Sequence, residues 1–153
     1  MDDSYIEPFV QATQETFQTM LSVDVEPGKA YIKKKLLLNY DVSGAIGISG
    51  GAQGLIALCF TEPVALKIVS SLIGMDFDVP QTEVMDAVGE LANIIAGYAK
   101  KNLKDFTYTI SLPNVVVGKN HVITVGRIGV PTSIVPLKCR FGEFALEVTI
   151  RPV

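Results

Sequence analysis

Residues 82–103, TEVMDAVGELANIIAGYAKKNL, constrain the fold of this chain more than any other segment. At roughly 100° per residue of helix, six apolar residues fall on one side of the segment. These residues are Val84, Val88, Leu91, Ala92, Ile95 and Ala99. The opposite side is a narrow stripe of Asp86, Glu90, Asn93 and Gly97. The spacing therefore predicts one long helix with a buried apolar face and an exposed polar face.

The exposed stripe has an unusual composition for a solvated helix face, which is ordinarily filled with Lys, Glu and Gln. Asn93 costs several tenths of a kcal/mol relative to alanine in a helix, and Gly89 and Gly97 each cost about 1 kcal/mol. An isolated glutamate and asparagine at this spacing would most often be an ordinary solvated face. Three unfavourable residues in one helix indicate a constraint other than helix stability. A carboxylate beside a carboxamide suggests a surface that enters a pocket of another molecule.

The rest of the chain predicts an α+β fold in one domain, residues 1–153. Residues 4–21 have the spacing of an amphipathic helix with Ser4 as its cap, and residues 62–73 predict a shorter helix with Thr61 as its cap. Strands are predicted at 30–38, 42–49, 53–60, 107–111, 114–118, 121–126, 132–140 and 143–151. This order predicts a largely antiparallel sheet, with two long amphipathic helices and a shorter one packed on one face. Each long helix is followed by a glycine-containing hairpin, which hints at a duplicated unit.

Composition excludes several classes of partner. The chain is 48% apolar and 19% charged, with a net charge of −3, so we expect no general attraction to nucleic acid or to anionic lipid. No apolar run approaches the roughly 18 residues of a membrane span. Cys59 and Cys139 lie in apolar strand-like runs and are predicted to be reduced and buried, as in a cytosolic protein. Lys33, Lys34 and Lys35 are predicted to protect an edge strand from mispairing.

Two catalytic patterns are not favoured by their context. The run from Gly47 to Gly51 matches the G-x-S-x-G motif of hydrolases, but Ser49 lies at a predicted hairpin rather than between a strand and a helix. A catalytic metal site is also disfavoured, because one histidine and two separated cysteines do not form a usual zinc set. His121 is predicted to be an exposed bystander at a turn.

The long helix resembles the signature helix of a known family. MDAVGELANIIAGYAKKNL is similar to the helix of the CheC/CheX/FliY phosphatases of bacterial chemotaxis, whose pattern is an acidic residue or serine, then glutamate, then asparagine. Asp86, Glu90 and Asn93 match these positions. Pro113, in SLPNVVVG, matches a later proline of the pattern. The opening YIEPFVQATQETFQTML and the DVSGAIGISG segment also look similar to CheX members, so the resemblance spans the chain.

The resemblance implies a pseudo-duplicated CheC/CheX-like fold and hydrolysis of the phosphoaspartate of a CheY-type response regulator. The regulator would supply Mg²⁺ and a lysine, so no cofactor or metal is expected in this chain. The resemblance assigns Glu90 and Asn93 as catalytic residues: Asn93 would orient the attacking water, and Glu90 would pair with the regulator's lysine. Ala96 and Gly97 would let the two backbones approach closely.

Asp86 and Pro113 complete the expected partner-binding surface. The first helix offers Glu15 and Gln18 at the same spacing but lacks the asparagine, so one active site per chain is expected, as in CheX members. The resemblance also implies a cytoplasmic homodimer formed by extension of the sheet, with residues 107–126 as a candidate edge.

Two alternatives remain open at this point. The flagellar switch proteins share this fold family and use it for docking, so the chain could bind a response regulator or a switch component without hydrolysing anything. A purely structural oligomer is the second alternative. Acceleration of phosphate loss from a phosphorylated regulator would separate catalysis from docking.

Overall fold

The computed structural model describes residues 5–34, 39–74, 79–103, 107–125 and 129–153. Within these ranges the chain forms three helices and eight strands of one antiparallel sheet. The helices are α1 (Glu7–Leu21), α2 (Glu62–Ile73) and α3 (Gln81–Asn102). The strands are β1 (Glu26–Pro27), β2 (Tyr31–Ile32), β3 (Tyr40–Gly50), β4 (Ala52–Phe60), β5 (Tyr108–Ile110), β6 (Asn114–His121), β7 (Ser133–Cys139) and β8 (Gly142–Pro152). The predicted α+β class with an antiparallel sheet is confirmed.

The element boundaries agree with the sequence except around the short strands. The predicted strand at 30–38 is described over residues 30–34, and of these only Tyr31 and Ile32 are strand residues; residues 35–38 lie outside the described ranges. The predicted strands at 114–118 and 121–126 are one strand, β6, and residues 122–125 are not in the sheet. Asn120 has a positive φ of 59° but lies inside β6 rather than at a turn. Asparagine adopts a positive φ more readily than most residues and is therefore typical of turns. Here the strand continues past Asn120, because His121 still pairs with β3.

Thr61 is the N-cap residue of α2, as predicted, but its side chain is not the group that caps the helix. Thr61 makes no side-chain bond to the helix, whereas the Asp41 carboxylate accepts the Glu62 backbone N–H at 2.7 Å. Asp41 also accepts the Asn120 N–H at 3.2 Å. These bonds to Glu62 and Asn120 lower the pKa of the Asp41 carboxyl. The cap comes from β3, twenty-one residues earlier in sequence, so a local search for a capping residue could not find it. The Ser4 cap predicted for α1 lies outside the described residues.

The sheet shows the duplication that the sequence hinted at. Its order is β1-β7-β8-β4-β3-β5, with β2 also paired to β7 and β6 also paired to β3. The two long hairpins, β3–β4 and β7–β8, therefore lie side by side through β4 and β8. The short strands are exchanged between the two halves of the chain. β1 and β2 of the first half pair with β7 of the second, and β5 and β6 of the second half pair with β3 of the first. This arrangement makes α1 and α3 corresponding helices.

The helices cover one face of the sheet, and the core lies between them. Phe144 of β8 stacks on Phe17 of α1 and on Phe60 of β4, with ring centroids 5.0 and 5.2 Å apart. At Gly44 of β3 the sheet approaches α3 so closely that a Cβ atom would lie 3.0 Å from the Val88 carbonyl oxygen and from the Ala92 Cβ. This close approach fixes α3 on the sheet and so fixes the direction of its outer face.

The other face of the sheet holds a buried polar cluster. Lys33 forms an ion pair with Glu147 of β8 at 2.8 Å, and its side chain is only 13% exposed. Lys33 also donates to the Ile123 carbonyl. The edge-protecting role predicted for Lys33 is therefore wrong, because this lysine is turned into the fold and pairs with a buried carboxylate oxygen. Lys34 is exposed, and Lys35 lies outside the described ranges.

His121 is a part of the structure rather than the exposed bystander predicted. Its Nε2 lies 2.8 Å from Ser43 Oγ, and its Nδ1 lies 2.7 Å from the Gly118 carbonyl oxygen. Since a carbonyl can only accept, Nδ1 carries the proton. Both cysteines are free thiols, with Cys59 buried and Cys139 half-buried.

Candidate functional site

The outer face of α3 presents the predicted polar stripe to solvent. Asp86 and Glu90 are exposed, and Asn93 and Gly97 are half-buried. All six residues predicted for the apolar side are buried: Val84, Val88, Leu91, Ala92, Ile95 and Ala99. The helix therefore has the orientation that the spacing predicted, with the acid and the amide turned away from the core.

The polar side chains of this stripe are unengaged within the described part of the chain. Asp86, Glu90 and Asn93 make no side-chain hydrogen bond or ion pair to any residue there. The buried carboxylate of Glu147, in contrast, is paired through its Oε1 with Lys33 at 2.8 Å. A carboxylate and an amide that make no bond within the described fold are available to bind a group of another molecule.

The two glycines of α3, Gly89 and Gly97, lie in different surroundings, so their presence has different explanations. A Cβ at Gly89 would lie 3.1 Å from Val115 Cγ2 and 3.7 Å from Pro113 Cβ and Cγ, so packing against the start of β6 explains this glycine. A Cβ at Gly97 would have no atom within 4 Å. Because the described fold gives no steric reason for Gly97, its cost of about 1 kcal/mol to the helix needs another explanation.

Pro113 is far from α3 in sequence but lies beside it in space, since a Cβ at Gly89 would be 3.7 Å from the proline ring. It belongs to the turn between β5 and β6, residues 111–113, which follows the edge of β3. Pro113 thus lies beside the residue that precedes Glu90. The structure brings Asp86, Glu90, Asn93, Gly97 and Pro113 to one side of the molecule.

Ala96 is the exception among the predicted site residues. Its exposed fraction is 0%, so it has no surface that a partner could touch. A position next to Gly97 in sequence is 100° away around a helix, and this rotation turns Ala96 into the core. Ala96 is therefore excluded from the contact surface.

A shallow groove borders the stripe on the side of α1. It has a volume of about 470 Å³ and lies between the second half of α1 and the C-terminal part of α3. Its lining consists of Thr16, Thr19, Met20, Ile94, Gly97, Tyr98 and Lys101. Gly97 opens into this groove, which gives an approaching backbone access to α3.

Sequence reasoning missed Leu112, which is 85% exposed in the turn next to Pro113. Its neighbour Ser111 donates to the Leu112 carbonyl at 2.8 Å and accepts the Gly47 N–H at 2.8 Å. An exposed leucine has no sequence pattern of its own. Only the contact between the β5–β6 turn and α3 places it next to the site.

The structure does not support the two other catalytic patterns, the serine hydrolase motif and the metal site. Ser49 lies within β3, and its hydroxyl is 2.9 Å from the Thr109 hydroxyl rather than beside a base. Residues 5–34, 39–74, 79–103, 107–125 and 129–153 contain no group of three or more His, Cys, Asp or Glu side chains that could hold a metal ion. Over the same ranges, every helix is too short or too polar to cross a membrane.

The sequence is similar to those of known chemotaxis proteins. Residues 42–133 match the family model of the chemotaxis phosphatase CheX. The chain is 27% identical over 123 residues to the CheY-P phosphatase CheX of Thermotoga maritima, covering 78% of this chain and 79% of the relative.

Two solved structures are similar over nearly the whole chain. The CheX protein of Desulfovibrio desulfuricans is 33% identical, with a TM-score of 0.87 over 96% of this chain and 99% of its own. A chain in the CheX–CheY–BeF3–Mg²⁺ complex of Borrelia burgdorferi is 29% identical, with a TM-score of 0.81 over 96% of this chain and 97% of its own. The family match covers more than half of the sequence and includes α3 with its polar stripe. The chain therefore belongs to the CheX family of chemotaxis phosphatases.

Proposed function

We propose that this protein hydrolyses the phosphoaspartate of a CheY-type response regulator. The observation that carries the proposal is the outward presentation of Glu90 and Asn93 on one turn of α3, without partners among the described residues. A relative in Thermotoga maritima is a CheY-P phosphatase, and a similar chain from Borrelia burgdorferi forms a complex with CheY. Family membership and site geometry thus support the same reaction.

The reaction requires few chemical steps from this chain. Water attacks phosphorus, the bond between phosphorus and the aspartyl oxygen breaks, and the carboxylate leaves with the bonding electrons. Both protons of the water end on the inorganic phosphate. A carboxylate is a good leaving group, so the enzyme mainly has to position the water and stabilise charge.

Asn93 is the residue proposed to position the water. Its carboxamide can accept a hydrogen bond from water and donate one to a phosphoryl oxygen at the same time. Asn93 is half-buried on the outer face of α3, so its side chain is more restricted than that of a fully exposed residue. A fixed amide keeps the water in line with the bond that breaks.

Glu90 is proposed to pair with a lysine of the regulator. The carboxylate is exposed, and helix geometry places it on the same face as Asn93, three residues away. A charge-assisted bond to an ammonium group would set the position of α3 relative to the phosphoaspartate. Mg²⁺ would be bound by the regulator, in keeping with the complex of the Borrelia burgdorferi relative with CheY, which contains Mg²⁺.

The decisive experiment measures the decay of radiolabelled phosphate on a panel of CheY-like regulators, each with and without this protein. We expect faster decay for at least one regulator, most of that acceleration lost in Asn93→Ala, and full activity of the matched variant Gln18→Ala on α1. Binding of a regulator without acceleration of decay across the panel would leave a docking module in place of an enzyme.

A further inference from the structure

The turn between β5 and β6 carries a large apolar side chain that the fold does not use. Leu112 is 85% exposed, the highest value among the large apolar residues of the described ranges. A single exposed leucine is common on protein surfaces and needs no explanation by itself. Leu112 differs from that ordinary case in two respects, the rigidity of its backbone and its position.

The backbone of this turn is fixed on both sides of Leu112. Ser111 donates its N–H to the Gly47 carbonyl at 2.9 Å, and its hydroxyl accepts the Gly47 N–H at 2.8 Å. The same hydroxyl donates to the Leu112 carbonyl at 2.8 Å. On the other side, Pro113 packs against Gly89 of α3 and has a restricted φ. An exposed side chain on a fixed backbone loses little conformational freedom when a partner covers it.

Leu112 lies at the edge of the candidate site. Its neighbour Pro113 contacts the residue before Glu90, and Met85, one turn earlier on the same side of α3, is 36% exposed. Met85 is one helical turn before Gly89, Pro113 lies beside Gly89, and Leu112 adjoins Pro113 in the chain. We call these three residues the apolar rim of the polar stripe. An apolar rim beside charged and amide groups is the usual composition of a protein-binding surface.

The corresponding turn in the other half of the fold is different. Residues 28–30 connect β1 to β2 and are tied to β7 by the bond from the Gly28 N–H to the Pro136 carbonyl at 2.8 Å. This turn exposes Gly28 and Lys29. The half whose helix lacks the asparagine therefore also lacks the exposed leucine.

We propose that Leu112 is an apolar anchor for the response regulator and contacts an apolar patch beside its phosphoaspartate. The inference rests on the proposed function, because the partner that reaches Glu90 and Asn93 must also cover the adjoining rim. Leu112 does not touch the reacting atoms, so it sets affinity and leaves the chemical step unchanged.

The test separates binding from chemistry with three variants of the full chain. Leu112→Ala is expected to raise KM for the phosphorylated regulator about tenfold and to leave kcat within about twofold. Leu112→Asp is expected to raise KM further, because it places a charge against an apolar patch. Ile32→Ala is the control, since Ile32 is 42% exposed on β2 at the opposite edge of the sheet. It should leave both constants unchanged.

A second pair of variants tests the rigidity of the turn. Ser111→Ala removes the hydroxyl that joins Gly47 to the Leu112 carbonyl and keeps the leucine. We expect KM to rise about threefold at constant kcat, with recovery in Ser111→Thr, which restores the hydroxyl. Thermal melting of each variant confirms that the fold is intact.

The dissociation constant for the unphosphorylated regulator, measured by fluorescence anisotropy, keeps the inference independent of turnover. Unchanged affinity and KM in both Leu112 variants would overturn the proposal. Loss of self-association in light scattering with unchanged regulator affinity would assign Leu112 to a contact between two copies, which would also overturn it. Weaker regulator binding would support the anchor even if no regulator decayed faster, in which case only the phosphatase proposal would fail.

Discussion

α1 and α3 occupy corresponding places in the two halves of the fold, and their outer faces carry similar residues at the same spacing. Gln11, Glu15, Gln18 and Ser22 of the first half match Asp86, Glu90, Asn93 and Gly97 of the second, and all eight are exposed or half-buried. Three of the four matched pairs differ in residue type, and two differences between the helices bear most on the proposed chemistry. The first is one methylene between glutamine and asparagine, and the second is the point at which the helix ends.

The length of the amide side chain matters for positioning. Asparagine has one fewer rotatable bond than glutamine, so its amide is held closer to the backbone and in fewer orientations. The helix end matters for access. α1 ends at Leu21, and its C-cap Ser22 has a positive φ of 55° and donates its N–H to the last turn, whereas α3 continues through Gly97 to Asn102. The comparison indicates that a glutamate and an amide on an exposed helix do not by themselves make a phosphatase site. The amide must also be short, and the helix must leave room for the regulator to approach.

The largest effect expected from this comparison is the loss of turnover in Asn93→Ala. The proposed water would lose its orienting group, and kcat should fall about a hundredfold while KM stays within about twofold. Gln18→Ala, the corresponding change in α1, should leave kcat and KM unchanged. Steady-state decay of the phosphorylated regulator gives both constants. Equal losses in the two variants would remove the distinction between the helices.

Glu90→Ala should mainly weaken binding. Removal of one partner from a charge pair at an interface costs about 2 kcal/mol or more, or roughly a thirtyfold rise in KM, and kcat should fall as well because docking is misaligned. Glu15→Ala is the matched variant and should change neither constant. An unchanged KM for Glu90→Ala would contradict its pairing with a lysine.

Gly97→Ala should move stability and docking in opposite directions. The helix gains about 1 kcal/mol from the alanine, which raises Tm by about 3 °C, because the new methyl group meets no atom of the described residues. KM should rise about fivefold, because the methyl group blocks the close approach of the regulator. Gly89→Ala provides the contrast within the same helix: its Cβ would lie 3.1 Å from Val115 Cγ2, so no gain in Tm is expected. A Gly97 variant that is more stable and equally active would show that this glycine serves no partner.

The sequence predicted what depends on local periodicity. The burial of Val88 and Leu91 and the exposure of Glu90 follow from the 3.6-residue repeat, and the structure has them as predicted. The features it could not predict depend on contacts across the sheet. Asp41 caps a helix from another strand, and Lys33 meets Glu147, 114 residues away.

The same reason explains the site residues that sequence reasoning misplaced or missed. Ala96 is adjacent to Gly97 in the motif but lies on the buried side, as the rotation per residue requires. Leu112 becomes relevant only because Pro113 packs on Gly89, a contact between the β5–β6 turn and a helix that ends before β5 begins. The expected homodimer through the edge strands stays a prediction, and β5 and β6, which pair only with β3 among the described strands, leave that edge available.

Asp86→Asn should have the smallest effect. Asp86 lies one turn before Glu90 and is exposed, so it acts on a basic regulator surface through solvent and contributes less than about 1 kcal/mol. We expect KM to rise about twofold to threefold at low salt, with kcat unchanged. The difference from the unmodified chain should disappear in about 0.5 M salt, because the Debye length then falls to a few ångströms. Gln11→Asp places the same charge at the corresponding position of α1 and should not lower KM, since no regulator docks there. A salt-independent change in Asp86→Asn would instead indicate a direct, desolvated contact, and Asp86 would then rank with Glu90 as a docking residue.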